Sequence, residues 1–246
     1  MCSPRPPERW WLRSEIRAFV KGPQMPVSWP ISYTDIVLRG TSVENTVQAL
    51  QELHRRAYVS PEMDGSVVAY DSECDERGLA TLEELAAKLA ARLRCPALAF
   101  LCWQEDMRYL THDEDVLLCA LYQGDSFHGR YGWGARSRLD HAGPLLTREV
   151  FGERLSVVLG IPADAQRIQG LLLRLDELME EDRRRKPRRS RRWRNATMPW
   201  GIHTVLASEH GLRLGCYAGG IGFGHIAACA EGRAHYMTVD EYVKVQ

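Results

Sequence analysis

The chain has 246 residues, 45% of them hydrophobic, and its 32 Lys and Arg balance its 32 Asp and Glu. That length buries a core without disulfide staples, and the longest apolar run, Val116 to Tyr122, is far shorter than the roughly 18 residues of a membrane-spanning helix. Seven cysteines (Cys2, Cys74, Cys95, Cys102, Cys119, Cys216 and Cys229), an odd number with no C-x-x-C pair, read as reduced residues of a cytoplasmic protein.

Residues 1–30 are expected to be an N-terminal tail or upstream extension. Trp10-Trp11-Leu12 runs straight into Arg13, Glu15 and Arg17, which is not the apolar core of a secretory signal, and Met25 is the expected start of translation. The first patterned segment, Tyr33 to Leu38, reads as a strand ended by Arg39-Gly40. A helix follows, capped by Ser42, with Val43, Val47, Leu50 and Leu53 on one face. Ala57 to Ser60 and Ser66 to Tyr70 form a hairpin about the Met63-Asp64-Gly65 turn. Asp71 to Glu76 is expected as a solvated acidic turn. Thr81 and Glu84 suggest a capping box for the next helix, whose apolar stripe is Leu82, Leu85, Ala86, Leu89 and Leu93.

Pro96 introduces Ala97 to Trp103, a nearly continuous apolar strand of the kind buried on both faces. The order to this point is β-α-β-β-α-β, which predicts a ferredoxin-like part within an α+β protein, spanning residues 31–134. Met107 to Leu110 and Asp115 to Tyr122 are expected as extra antiparallel strands, and Gly124, Gly129, Gly132 and Gly134 as a loop-rich edge. Residues 145–246 read as a mostly helical C-terminal part. Thr147 to Leu159 is one helix, and a second opens at Pro162 with Ile168, Leu171, Leu172, Leu175 and Met179 on its apolar face. A third runs from a cap at Thr197 through Leu206 to Gly211, followed by a strand over Leu212 to Tyr217 and a glycine-rich loop.

The charge is unevenly spread. Arg183, Arg184, Arg185, Lys186, Arg188, Arg189, Arg191, Arg192 and Arg194 put nine basic residues into twelve, with Trp193 among them, and leave 23 basic against 32 acidic elsewhere. Pro187 makes this stretch a loop rather than a helical continuation. Arg forks and an exposed Trp suit phosphates and bases or an acidic partner; equally, such blocks are solvated faces that pair with their own acidic neighbours, here Asp176 to Asp182. Asp71, Glu73, Asp75 and Glu76 form an expected acidic surface for a basic partner. Their spacing is not that of a calcium loop, since Leu82 stands where its last acid belongs.

Gly219-Gly220-Ile221-Gly222-Phe223-Gly224 continues to Ala227 as G-x-G-x-x-A, which would hold a pyrophosphate if a helix began at Ala227. Only about twenty residues follow, too few for the rest of a dinucleotide-binding unit, so a plain turn or close packing is the competing reading. No H-E-x-x-H, Cys/His zinc spacing or G-x-S-x-G is present, and no catalytic residue, metal or cofactor is assigned.

The segments Tyr33-x-x-Ile36-Val37-Leu38-Arg39-Gly40, Arg55-Arg56-Ala57-Tyr58-Val59-Ser60, Tyr70-Asp71-x-Glu73-Cys74-Asp75 and Cys95-Pro96-Ala97-Leu98-Ala99 resemble those of an uncharacterised group of small bacterial proteins. The resemblance covers mainly Ile31 to Tyr131, with a fainter echo from Ile202 to Gly224. It implies no reaction, and it leaves Arg183 to Arg194 outside the shared part. The resulting expectation is non-enzymatic recognition of a protein partner, in the manner of an immunity or regulatory protein. Nucleic-acid binding through residues 183–194 is the alternative, and a nucleotide-dependent enzyme using Gly219 to Gly224 comes third.

Overall fold

A computed structural model describes residues 32–103, 115–160, 165–184, 202–203, 206–207, 221–233 and 239–246. The α+β class stands: among these residues are seven strands and seven α-helices, and all the strands join one antiparallel sheet. In chain order these are β1 (Tyr33–Arg39), α1 (Val43–Glu52), β2 (Ala57–Val59), β3 (Ser66–Asp71), α2 (Ser72–Arg77), α3 (Leu79–Leu93), β4 (Pro96–Trp103), β5 (Val116–Gln123), β6 (Ser126–Gly134), α4 (Arg136–Leu139), α5 (Arg148–Val158), α6 (Ala165–Arg184), α7 (Phe223–Ala230) and β7 (Val243–Val245). The sheet order is β6-β5-β4-β1-β3-β2-β7.

β1 sits in the middle, paired with β4 through Asp35↔Phe100 and Val37↔Leu98 and with β3 through Val37↔Val68. Side chains alternate across a strand, so each strand feeds two cores. Ile36, Leu38, Val67, Ala69, Ala97 and Ala99 pack with Leu50 of α1 and Leu82, Leu85 and Leu89 of α3. Val37, Val68, Leu98, Phe100, Leu117 and Leu121 pack beneath Phe151 and Leu155 of α5, Ile168, Leu172 and Leu175 of α6, and Ile226 of α7. Three layers result, with the sheet as the filling. Strands covered on both faces read as continuous apolar runs even though they are antiparallel, which is why Val116 to Tyr122 carries no polar residue.

Four local expectations are revised. The acidic stretch after β3 is the short helix α2, because the Asp71 side chain accepts from the Cys74 amide and starts a helix there. α3 begins at Leu79, after Gly78 at φ +77°, and not at a Thr81 capping box. The glycine-rich edge is the nine-residue strand β6, whose alternation places Tyr131 and Trp133 in the core. On its opposite side Gly134, at φ +117°, passes so close to β5 that a Cβ would strike the Asp115 carbonyl. Finally, β7 was not anticipated: Val243 to Val245 extend the sheet beyond β2, with Ala57↔Val245.

The Ser42 cap, the hairpin of β2 and β3 and the helix over Thr147 to Leu159 are as expected, and Thr147 proves to be the cap of that helix. Met107 to Leu110, Pro162, Thr197 and Leu212 to Tyr217 lie outside the described residues. The outer side of β6 is blunted, since the Arg130 carbonyl accepts from the Leu146 amide at 2.8 Å and the His128 carbonyl from Arg154 Nη1 at 2.6 Å.

Gly134→Ala is expected to lower the free energy of unfolding by about 2–3 kcal/mol, since neither the dihedral nor the space admits a methyl group. Gly65→Ala, at φ +72° with nothing within 4 Å, should cost about 1 kcal/mol. Urea titrations of the two variants separate steric from purely dihedral strain; equal losses would count against the close approach of β5 and β6.

Candidate functional site

The acidic segment and the glycine-rich segment, nearly 150 residues apart in sequence, meet at the start of β1. Asp75, on α2, accepts at Oδ1 from the Thr34 amide and from Thr34 Oγ1, both at 2.7 Å. The Phe223 and Gly224 amides of the first turn of α7 donate to the same carboxylate. Four donors thus converge on one side chain. Gly222, the residue before α7, fits because it has no Cβ: a methyl group there would lie 2.6 Å from Tyr33 Cβ and 2.8 Å from Asp75 Oδ2. The His225 ring turns back, with Nδ1 accepting from the Gly222 amide at 3.2 Å.

This arrangement changes the reading of the glycines. The helix begins at Phe223, not Ala227, and its N-terminal amides, which attract anions, hold Asp75 where an external phosphate would otherwise sit. Burial raises the pKa of Asp75, and the Thr34, Gly224 and Phe223 donors pull it back. Gly219 and Gly220 lie outside the described residues.

The other predicted acids are placed as follows. Asp71 is buried at the end of β3, where Arg55 grips it with two nitrogens: Nε to Oδ2 at 2.9 Å and Nη2 to Oδ1. The third nitrogen of the fork, Nη1, reaches Glu73 Oε2 at 3.0 Å, and Glu73 also pairs with Arg77 at 3.4 Å. The bond to Asp71 raises the Arg55 pKa further above its ordinary value. Cys74, beneath the pair, has its thiol pushed up by burial first and by Asp71 second, so it is a poor nucleophile. Glu76 is exposed. Of the four carboxylates, Asp71 is therefore buried, Glu73 and Asp75 are partly buried and engaged, and Glu76 faces solvent.

Of the basic run, only the backbone of Arg183 and Arg184, at the end of α6, falls among the described residues; Arg185, Lys186, Arg188, Arg189, Arg191, Arg192, Trp193 and Arg194 lie outside them. α6 carries acidic groups inward as well as outward. Asp176 accepts from the Tyr131 hydroxyl at 2.9 Å and from Arg148 Nη1 at 3.1 Å, tying α6 to β6 and α5.

A second polar cluster was not foreseen in the sequence. Asp35 stands on the face of β1 that meets the C-terminal helices, in a row of cross-strand neighbours that continues through Phe100, Cys119 and Tyr131. It is 1% exposed, and neither carboxyl oxygen has a hydrogen-bond partner among the described residues. His203 lies over it, with Nε2 3.8 Å from Asp35 Oδ1, Nδ1 2.8 Å from the Tyr33 hydroxyl, and its ring stacked on Phe100 at 3.9 Å. Burial, and then the like charge of Asp75, pushes the Asp35 pKa well up. Burial brings His203 down to about 3. Burial thus works against the charged form of each group, the carboxylate of Asp35 and the imidazolium of His203. Cys102 and Cys119, also wholly buried, have thiols pushed up by burial, with Asp35 adding to the shift in both.

The signal for Asp35 was present in the sequence. A carboxylate alternating with Tyr33 and Val37 inside a central strand has no solvent-facing side to occupy, and acids are almost never fully buried without a reason. His203 carried no comparable signal.

Arg55→Ala is expected to destabilise the fold by about 3 kcal/mol, because it leaves Asp71 buried and unpaired. Arg55→Lys should recover little of that, since an ammonium cannot bridge both carboxylate oxygens and Glu73. Asp75→Ala, which strands four donors, should cost about 2 kcal/mol and release α7 first. Chemical denaturation read by tryptophan fluorescence, with hydrogen exchange over 221–230, measures both; a Lys variant as stable as the parent would refute the bidentate role of Arg55.

No family model, curated protein or solved structure matches this chain.

Proposed function

We propose that the chain acts by recognising a protein partner and not by catalysing a reaction, as an immunity-like or regulatory protein of the bacterial cytoplasm. The observation that carries this reading is the mutual engagement of Asp75 and the α7 N-terminus. The carboxylate and the glycine-rich turn, the two parts of the sequence best suited to a reaction centre, complete each other's hydrogen bonding within the fold. What remains available is charge. Apart from residues 183–194 the chain has nine more acidic than basic residues, and a surface of one sign steers association with the opposite sign.

Several features support the finer parts of this reading. The central strands run β4-β1-β3-β2, with α1 and α3 on one face, which supports a ferredoxin-like arrangement of residues 31–134 carrying the helical part 145–246. Cys74, Cys95, Cys102 and Cys119 are buried and form no disulfide among the described residues, in keeping with a reducing compartment. No helix among the described residues is long and apolar enough to cross a membrane. Nucleic-acid binding is the second reading. α6 ends at Arg184 and so delivers the basic run at a helix C-terminus, leaving nine cations concentrated at one point of the chain.

Affinity capture from the source cell, with and without nuclease, followed by reassembly from purified components, tests the two readings together. The expected result is a stoichiometric basic protein retained after nuclease treatment, whose complex re-forms from purified parts and weakens as salt rises. Recovery of nucleic acid alone, lost when Arg188, Arg189, Arg191 and Arg192 are changed to Ser, would replace the first reading with the second. For that outcome the logarithm of affinity should fall steeply with the logarithm of salt concentration, with a slope of roughly −0.7 to −0.9 for each phosphate contacted.

A further inference from the structure

One helix of the covering layer keeps a stripe open to solvent. On α5, Phe151, Leu155 and Val158 are buried in the core beneath the sheet, and Gly152 lies against Leu172 and Gln169 of α6, so two sides of the helix are fixed. The opposite stripe carries Val150, Glu153, Arg154 and Val157, all exposed. Val157 is 63% exposed and Val150 37%, which leaves two valines of one stripe uncovered. We propose that this stripe is the contact of a two-fold dimer, in which α5 packs in parallel on α5 of a second copy of the chain.

The spacing of the valines fits such a pair. Residues 150 and 157 are two turns apart and lie nearly in line along the helix. With parallel helices about a two-fold axis each valine meets its own copy, giving two apolar layers about 10 Å apart. β-Branched residues at these positions favour parallel pairing. The buried side of α5 faces away from that axis, so the two sheets lie on opposite sides of it.

Charge selects both the occupant and the orientation. Between the valines, Glu153 stands about 60° to one side of Val150 around the helix and Arg154 about 40° to the other. A two-fold axis parallel to the helix brings the Glu153 side of one copy to the Arg154 side of the other, so two reciprocal ion pairs form between the apolar layers. Antiparallel helices would set Glu153 against Glu153 and Arg154 against Arg154, which is repulsive. Glu153 has no ion pair with a described residue. Arg154 is steadied by the bond from Nη1 to the His128 carbonyl at 2.6 Å, and its other guanidinium nitrogens remain able to donate. The contact is small: eleven residues make about 16 Å of helix, which covers well under the roughly 800 Å² per partner of a standard interface. The dimer is therefore reversible and concentration-dependent. It is independent of the partner discussed above, since it needs only a second copy.

Sedimentation equilibrium of the full chain between about 1 µM and 1 mM should show monomer and dimer in exchange, with the dimer lost in Val157→Asp. Glu153→Arg and Arg154→Glu each set like charges together and should each weaken association about tenfold or more. The two changes combined should restore it, because the reciprocal pairs are then reversed. Mild oxidation of Val150→Cys and Val157→Cys reads the orientation. Each variant should yield a peptide joined to its own copy through the new cysteine, and a mixture of the two should yield no 150–157 link. A chain that stays monomeric at the highest concentration, undiminished association in Val157→Asp, a charge-reversed double variant no better than the single ones, or a 150–157 link would each overturn the proposal.

Discussion

β1 is enclosed on every side, and much of the fold follows from that enclosure. β3 and β4 take its two edges, α3 lies on one face, and the C-terminal helices cover the other. Water cannot reach its side chains, so each polar group that the sequence places there needs a partner from within the protein or must remain neutral. Thr34 brings Asp75 and, through it, the start of α7. Tyr33 brings His203. Asp35, which no donor among the described residues reaches, has its pKa raised by burial. Three consecutive residues of one strand thus determine where two later parts of the chain attach.

Ion pairs serve the same end at the margins of the sheet. Arg55 holds the end of β3 to the connection before β2, Arg130 joins β6 to Glu83 of α3, and Asp176 links α6 to Tyr131 and Arg148. These are contacts between elements, with one or both partners largely shielded from solvent, and so differ from an exposed pair such as Lys88 with Glu84 within α3. Charge in this protein is used chiefly to register one layer on another.

The sequence made the elements of the first hundred residues legible because their signals are local: period-two alternation in β1, Ser42 as a cap, and the apolar stripe of α3. It misled where one residue type serves two purposes. Glycines at 129, 132 and 134 suggested a loop, yet they admit crowding by Leu146, Leu139 and Asp115 along a strand. Carboxylates at 71 and 75 suggested a surface, yet they cap one helix and hold another. The three-residue strand β7 was too short to show any period, and its pairing depends on an edge formed nearly two hundred residues earlier. The couple of Asp35 and His203 is a tertiary fact: only the first of the two stood in a context that singled it out.

The pairing of β7 with β2 also bears on how the protein is made. Ala57 pairs with Val245, so on a ribosome the strand at that edge waits, with its backbone groups open, until the distant β7 has been synthesised. During that interval β2 and β3 present an unfinished edge to any other nascent or folded chain. Vectorial synthesis therefore leaves this edge exposed to mispairing until β7 arrives, and the exposed Lys244 on that strand then puts a charge on the sheet's new outer edge.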